Sequence, residues 1–410
     1  MKIRNREASF TSQLKNNQLN SSESTYHYSS KEDEKDFIES QFQTPAEMSR
    51  YLEYRAEWHR RADEMDTGCF PLAVICELVS TCNLDCEMCY TMTQEFQDSI
   101  IGSQRIMPWD MVVRIIDECA ELGVYSILFS WRGESTLYRS QSADGKSYDF
   151  ADVLSYAREK GILEVTSLTN GRALSDNLIK KIVKAQPNWI SFSIDGLNNE
   201  YEKIRKAKGS TIKNNAFSEV IDNLKKMVKR RDDLGFKRPQ IRTNTIFPPI
   251  SKNPEKYGKF MQDIGVGLVT INEILDFRGT ELPEDSIQKN WFCQYPFQRL
   301  VISTNGIILP CPGSHNEEEE LVLGRYPGGS EKNIIVNGVN KKISSPEITL
   351  KQAWNSNEIK KIQDLHRRNR RKDLLTCKHC RHGAITHGAT WIPEDWDMEE
   401  MKWKGKTWRE

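Results

Sequence analysis

A chain of 410 residues carrying 58 Lys+Arg against 58 Asp+Glu is too long for one ordinary core and suits two domains with extensions. A formal net charge of zero gives no excess of positive potential for nucleic acid as the main partner, and the basic clusters at Lys229-Arg230-Arg231 and Arg367 to Lys372 read as solvated helix faces. Ten cysteines, no apolar N-terminal segment and no run of ~18 apolar residues argue against a membrane span and a secreted disulfide framework, and for metal or redox chemistry in a cytoplasmic protein.

Residues 1–44 are polar, rich in Ser, Asn, Gln, Lys and Glu, and are expected to be a disordered extension. Pro45 to Asp66 reads as a charged helix that covers one end of the first domain, with Met48, Leu52, Arg55 and His59 about a turn apart and Gly68 as its stop. From Pro71 strands and helices alternate. The predicted strands are Leu72–Val79, Val124–Ser130, Leu163–Leu168, Trp189–Ile194, Gln240–Ile246 and Gly267–Ile271. The helices lie at Trp109–Leu122, Tyr148–Lys160, Ser175–Ala185, Asn215–Arg231 and Pro254–Ile264. This pattern gives an α/β fold with a parallel sheet over residues 45–285, which fits a partial barrel and also a doubly wound sheet. In either case an active site lies at the C-terminal ends of the strands.

The first strand delivers Cys82, Cys86 and Cys89 in a C-x3-C-x2-C run followed by Tyr90. Thiolates select iron-sulfur clusters, zinc or copper(I). Three of them fill neither a tetrahedral zinc site nor a four-iron cluster, so one iron of such a cluster stays open. Completion of a zinc site from elsewhere, or burial as small apolar residues, also fits the triplet alone. The second strand ends in Ser130-Trp131-Arg132-Gly133-Glu134-Ser135, the third in Thr169-Asn170-Gly171, and the fourth in Ser193-Ile194-Asp195-Gly196 with Arg205 downstream. By themselves these read as turns, with Glu134 and Arg205 as surface charges.

Past residue 285 the alternation stops. Cys293 and Cys311 flank a hairpin, Arg299–Ser303 and Ile307–Leu309, turned at Asn305-Gly306. Cys377 and Cys380 form a C-x2-C knuckle after a helix containing Trp354 and Ile359. Four thiolates close either a zinc or a four-iron site. Cys76 and Cys119 read as core residues, and Cys69 is a candidate hydrogen donor. The tail at residues 386–410 carries Trp391, Trp396, Trp403 and Trp408, either over the mouth of the site or as a helix docking its aromatics.

The cysteine triplet and the strand-end motifs resemble the radical S-adenosylmethionine (SAM) superfamily. That resemblance implies a partial (β/α)6 barrel, a [4Fe-4S] cluster on Cys82, Cys86 and Cys89, and SAM at the open iron. It implies SAM contacts from Tyr90, from Gly133 and Glu134 as a Gly-Gly-Glu-like segment with Arg132 replacing the first glycine, and from Asn170, Ser193 and Arg205, with Asn244 facing the same pocket. Residues 286–385 are similar to the Twitch domain, the shortened relative of the SPASM domain, which implies one auxiliary [4Fe-4S] cluster on Cys293, Cys311, Cys377 and Cys380.

The function implied is reductive cleavage of SAM to a 5′-deoxyadenosyl radical and hydrogen abstraction from a substrate carbon. The pattern of one Twitch domain after the barrel resembles an aminocyclitol dehydrogenase and sugar-modifying relatives. It implies oxidation or epimerisation of a sugar, aminosugar or cyclitol, with a flavodoxin- or ferredoxin-type electron donor. A peptide-modifying maturase and a non-catalytic iron-sulfur or zinc protein are the alternatives. No motif assigns a catalytic base; Arg242, Glu273 and Asp276, late in the barrel, are candidates.

Overall fold

The computed structural model describes residues 21–22, 31–92, 96, 105–208, 215–275, 293–336, 339–378, 380 and 390–405. Its centre is a parallel sheet of β1 (Ala73–Cys76), β2 (Ser126–Leu128), β3 (Glu164–Thr169), β4 (Trp189–Ser193), β5 (Gln240–Ile246) and β6 (Leu268–Asn272). These six strands neighbour one another in sequence order. A doubly wound sheet reverses direction at a switch point; this sheet does not, so every crossover runs the same way and the helices line one outer face, as in a barrel. Strand residues are almost all buried, as expected when helices cover one face and a packed interior the other.

The connecting helices form where the sequence places their caps and stripes. Trp109–Leu122 buries Trp109, Val112, Ile115, Ile116 and Cys119, an i, i+3, i+4 stripe, and stops at Gly123 with φ 79. Phe150–Glu159 starts on a capping box between Asp149 and Asp152, and Asp176–Ala185 on the Ser175 hydroxyl. Ala216–Asp233 and Pro254–Asp263 complete the outer layer. Cys76 and Cys119 lie fully buried in the core these helices make with the sheet.

Part of the N-terminal segment is ordered, contrary to the expectation of disorder. Ser21 and Ser22 pair parallel with Val269 and Thr270, and Lys31–Gln41 is a helix. Phe37 and Phe42, few as they are, sink with Tyr51, Tyr54 and Trp58 into an aromatic cluster against Leu72, Ala73, Tyr125 and Trp189. Each such ring contributes about 1.5–3 kcal/mol by burial. The helix Pro45–Glu64, capped by Thr44, covers the N-terminal ends of the strands. Its buried face is the Tyr51, Tyr54, Arg55 and Trp58 side, while Leu52 is 56 % exposed. Aromatic rings between charges, not the aliphatic stripe, mark the inner face.

The hairpin of the C-terminal region extends the barrel sheet instead of forming a separate one. Strand β7 (Arg299–Ile302) pairs parallel with β1, from Arg299 beside Ala73 to Ile302 beside Cys76. Strand β8 (Ile307–Leu309) returns antiparallel, with β9 (Gly324–Arg325) next to it. Helices Leu350–Trp354 and Asn357–Arg367 pack beside them. Cys311 therefore follows the second strand of a hairpin in the same sheet whose first strand delivers Cys82. Among the described residues no helix is long and apolar enough to cross a membrane.

Candidate functional site

The cysteine loop is braced by the segment after the short helix Asn199–Ile204, a stretch in which no motif stands out. Asp85 N donates to Lys206 O at 2.8 Å and Lys208 N to Asn83 O at 3.0 Å, and Cys89 N closes a turn on Cys86 O at 3.0 Å. Cys86 is buried and Cys82 and Cys89 are half-buried. Burial pushes the Cys82 thiol up to about 11, helped by the Glu134 carboxylate. Burial also raises Cys86, with Arg205 working against it. Three thiols in such surroundings become thiolates together only around a cationic centre.

The end of β2 packs directly on this loop. A Cβ on Gly133 would lie 2.3 Å from Val79 O and 2.4 Å from Thr81 O, so only glycine allows the approach, and Glu134 N donates to Thr81 O at 2.9 Å. Glu134 is buried, not a surface charge. Its Oε1 accepts from Thr136 N, the Thr136 hydroxyl and the Thr169 hydroxyl, and its Oε2 accepts from Asn170 N at 2.7 Å. Asn170 Nδ2 donates to Asn83 Oδ1 at 2.7 Å and points to Cys82 Sγ at 3.6 Å. The ends of strands β1, β2 and β3 are thus one hydrogen-bonded unit around the triplet.

On the opposite side, Ser191 and Ser193 both lie within hydrogen-bond reach of Asn244 on the paired strand β5. Arg205 is not a surface charge either. Its Nε donates to Asp195 Oδ2 at 2.6 Å, and Asp195 Oδ1 accepts from Ile246 N at 2.9 Å. Burial opposes the charge on Arg205, but Asp195 and the nearby Cys86 more than offset this and raise its pKa. Asp195 fixes the arginine as well as the turn at Gly196, where φ is 82.

Tyr90 packs its ring against His315 at 3.9 Å between centroids and against Phe96 at 5.3 Å. His315 belongs to the loop after Cys311, so the residue next to the third cysteine touches the second cysteine region. Arg132, at the position where a glycine was expected, ties the same two regions together. Its Nε and one terminal nitrogen each donate to Glu77 at 2.6 Å, and that nitrogen also reaches Glu317 at 2.7 Å. All three side chains are at most 1 % exposed. Sequence reasoning missed Glu77 and Glu317; a glutamate inside the apolar run Leu72 to Val79 was the available signal, since buried carboxylates need partners.

A second pocket is lined by Cys293, Cys311, Cys377 and Cys380, together with Tyr295, His366 and Arg371. Burial pushes Cys293 up to about 12 and raises Cys311 and Cys377, and the neighbouring thiols add to each shift. His366, which no motif indicated, is pushed down to about 4 by burial and by Arg371. The four cysteines grouped in the sequence are therefore brought together in space.

The tryptophan tail is a hairpin, not a helix. Trp396–Asp397 pairs with Lys402–Trp403. Trp396, Met401 and Trp403 pack on Ile204, Ile246 and Ile274 and against Met88 and Met92 of the cysteine loop, which puts the tail at the C-terminal end of the barrel. Trp408 and Asp276 lie outside the described residues. Two candidates are at the wrong end of the barrel. Arg242 stacks on Phe37 and Trp189 at 4.9 and 4.8 Å and donates to Gln240, because it sits early on β5 and its stem suits the aromatic cluster there. Cys69 is exposed before β1, among residues that lead into the N-terminal end. Glu273 comes directly after β6 at the C-terminal end and is half-buried.

Residues 77–262 match the model of the Radical SAM superfamily. The chain is 23 % identical over 201 residues to a tungsten-containing aldehyde ferredoxin oxidoreductase cofactor-modifying protein of Pyrococcus furiosus, covering 48 % of this chain and 50 % of that protein. It is 30 % identical over 139 residues to an Fe-coproporphyrin III synthase of Methanosarcina barkeri, covering 33 % of this chain and 30 % of that one. The matches therefore span half or less of either curated relative. In fold it is similar to anSMEcpe with bound AdoMet, at a TM-score of 0.50 and 14 % identity over 78 % of this chain and 94 % of that one. The family implies a four-iron cluster and SAM, and the donor set fits both: three thiols on one loop, a glycine-permitted approach beside them, and a carboxylate held next to Cys82. The barrel of this chain is a radical SAM superfamily domain.

Proposed function

We propose that this chain is a radical SAM dehydrogenase of a small polyhydroxylated substrate, a sugar, aminosugar or cyclitol, with a second, auxiliary iron-sulfur cluster in a Twitch-like region. The observation that carries this reading is the pocket in which Cys293, Cys311, Cys377 and Cys380 meet. Four thiolates leave a four-iron cluster no open iron, which suits electron transfer and not substrate ligation. When bound, the first cluster and SAM supply a 5′-deoxyadenosyl radical that removes a hydrogen atom from a substrate carbon, and the second cluster supplies an acceptor for the remaining electron.

The residues divide the work. Cys82, Cys86 and Cys89 hold the first cluster, Asn170 orients Cys82, and Glu134 faces the SAM ammonium. Arg205, held by Asp195, and Ser193 face its carboxylate, for which a guanidinium is well suited. Tyr90 shapes the wall towards His315. The Trp396–Trp403 hairpin, packed on Ile204 and Ile246 and against Met88 and Met92 of the cysteine loop at the C-terminal end of the barrel, supports a small polyol over an extended peptide.

Anaerobic reconstitution with iron and sulfide, reduction with dithionite and an assay for 5′-deoxyadenosine test the reading. About eight irons per chain are expected for two four-iron clusters, with SAM cleavage lost and about half the iron kept in the Cys82→Ala, Cys86→Ala, Cys89→Ala variant. Bound zinc without SAM cleavage in well-reconstituted protein would sink it. Cleavage stimulated by a peptide panel and not by sugars or cyclitols would overturn the substrate class.

Gly133→Ala is expected to abolish SAM cleavage, because the added methyl group meets two backbone carbonyls that have no rotamer to move. Isothermal titration with SAM reads the effect directly, and binding at the parental affinity would contradict it.

A further inference from the structure

We propose that His366 donates an N–H···S hydrogen bond to Cys377 and thereby holds the reduction potential of the auxiliary cluster above the value its four thiolates alone would set; this rests on the reading of the second pocket as a cluster site. His366 projects from the helix Asn357–Arg367 into that pocket and is 1 % exposed. Its Nδ1 accepts a hydrogen bond from Cys293 N at 3.2 Å. A ring nitrogen that accepts carries no hydrogen, so the imidazole has its hydrogen on Nε2. Nε2 lies 3.7 Å from Cys377 Sγ, within the range of a hydrogen bond to sulfur. One side chain thus joins two of the four proposed ligands, fixed by the backbone of the first and aimed at the sulfur of the second.

The direction of that bond sets its chemical effect. A donor to a ligand sulfur withdraws electron density from the thiolate and stabilises the reduced cluster, which carries one more negative charge. Arg371 supports the same arrangement from the backbone side by donating to Cys377 O. An acceptor that has to take an electron from a substrate radical gains from a raised potential, so the residue tunes this cluster for an oxidative role. It touches no substrate and acts through Cys377, as a positioning residue.

The test uses the full chain with the Cys82→Ala, Cys86→Ala, Cys89→Ala replacements, so that only the auxiliary cluster contributes. In that background His366→Asn keeps an acceptor near Nδ1 and removes the donor, His366→Gln keeps a donor near Nε2, and His366→Met removes both. The midpoint potential is read by redox titration coupled to electron paramagnetic resonance, with iron and sulfide counted in each sample. Lower potentials in the Asn and Met variants and a value near the parent in the Gln variant are expected. An intact cluster at unchanged potential in the Asn variant overturns the inference, as does a Gln variant that shifts while Asn does not. If Met fails to fold, the Asn and Gln pair still decides. Loss of iron from both with native circular dichroism makes His366 a ligand and overturns the hydrogen-bonding role. Absence of any cluster from the parent background overturns the underlying reading instead.

Discussion

Replacing Arg132 with methionine is expected to destabilise the fold by about 3–5 kcal/mol, the cost of breaking a fully buried ion pair by removing one partner. The guanidinium grips both oxygens of Glu77, reaches Glu317 and donates to His315 O at 3.0 Å, and it lies 4.0 Å over the Trp131 ring. Burial works against its charge, but the two carboxylates more than offset this and keep it protonated. Methionine fills similar volume and leaves two buried carboxylates facing each other. Thr304 N also donates to Glu77 and Asn305 Nδ2 to Glu317; both donors are neutral and do not cancel the charge. Chemical unfolding of the reconstituted protein measures the loss. Neutralising the partners as well, in Arg132→Met, Glu77→Gln, Glu317→Gln, should return most of the stability, since amides keep acceptors for Thr304 and Asn305. A loss below about 1 kcal/mol in the single variant would mean that the triad is an incidental contact.

That triad also explains where sequence reading stopped. The six strands were legible because parallel strands buried on both faces read as short apolar runs between amphipathic helices, and the triplet Cys82, Cys86 and Cys89 stood out because three cysteines at close spacing fall on one loop. Glu134, Asn170 and Ser193 stand at or beside strand ends, where the resemblance to the family's motifs singles them out. What could not be read was mutual arrangement. The parallel pairing of Arg299–Ile302 with Ala73–Cys76 joins segments over two hundred residues apart, and nothing local in either run announces it. Without that pairing, Arg132 looked like a substitution in a glycine motif and not a bridge to Glu317. Arg242 was misplaced for the opposite reason: it is at the right height in the sequence order of the strands but near the wrong end of its own strand, among Phe37 and Trp189. Phe37 itself was lost in a polar segment, where two aromatic residues suffice to dock one helix.

Glu134→Gln is expected to weaken SAM binding by about 10- to 100-fold, since a charge-assisted hydrogen bond contributes about 1.5–3 kcal/mol. The carboxylate is preorganised by protein donors on both oxygens, three on Oε1 and one on Oε2, so its orientation does not depend on a ligand. A carboxylate oxygen accepts along two lone pairs; Asn170 N takes one on Oε2, and the other is left for an ammonium. Glutamine preserves the shape and removes the charge, and its NH2 group must turn a donor either towards Asn170 N or towards the two threonine hydroxyls. The Thr136 and Thr169 hydroxyls on the Oε1 side can rotate to accept, but Thr136 N there cannot, just as Asn170 N cannot on the Oε2 side, so in either orientation glutamine loses one backbone hydrogen bond as well as the charge. Iron content should stay at the parental level, because Glu134 touches no cysteine sulfur directly. Titration of reconstituted protein with SAM, beside an iron count, separates the outcomes. Parental affinity in the glutamine variant would reduce Glu134 to a brace between the Ser130–Ser135 and Thr169–Gly171 loops. Loss of iron together with SAM binding would instead show that the brace is what holds Cys82 in place, through Asn170.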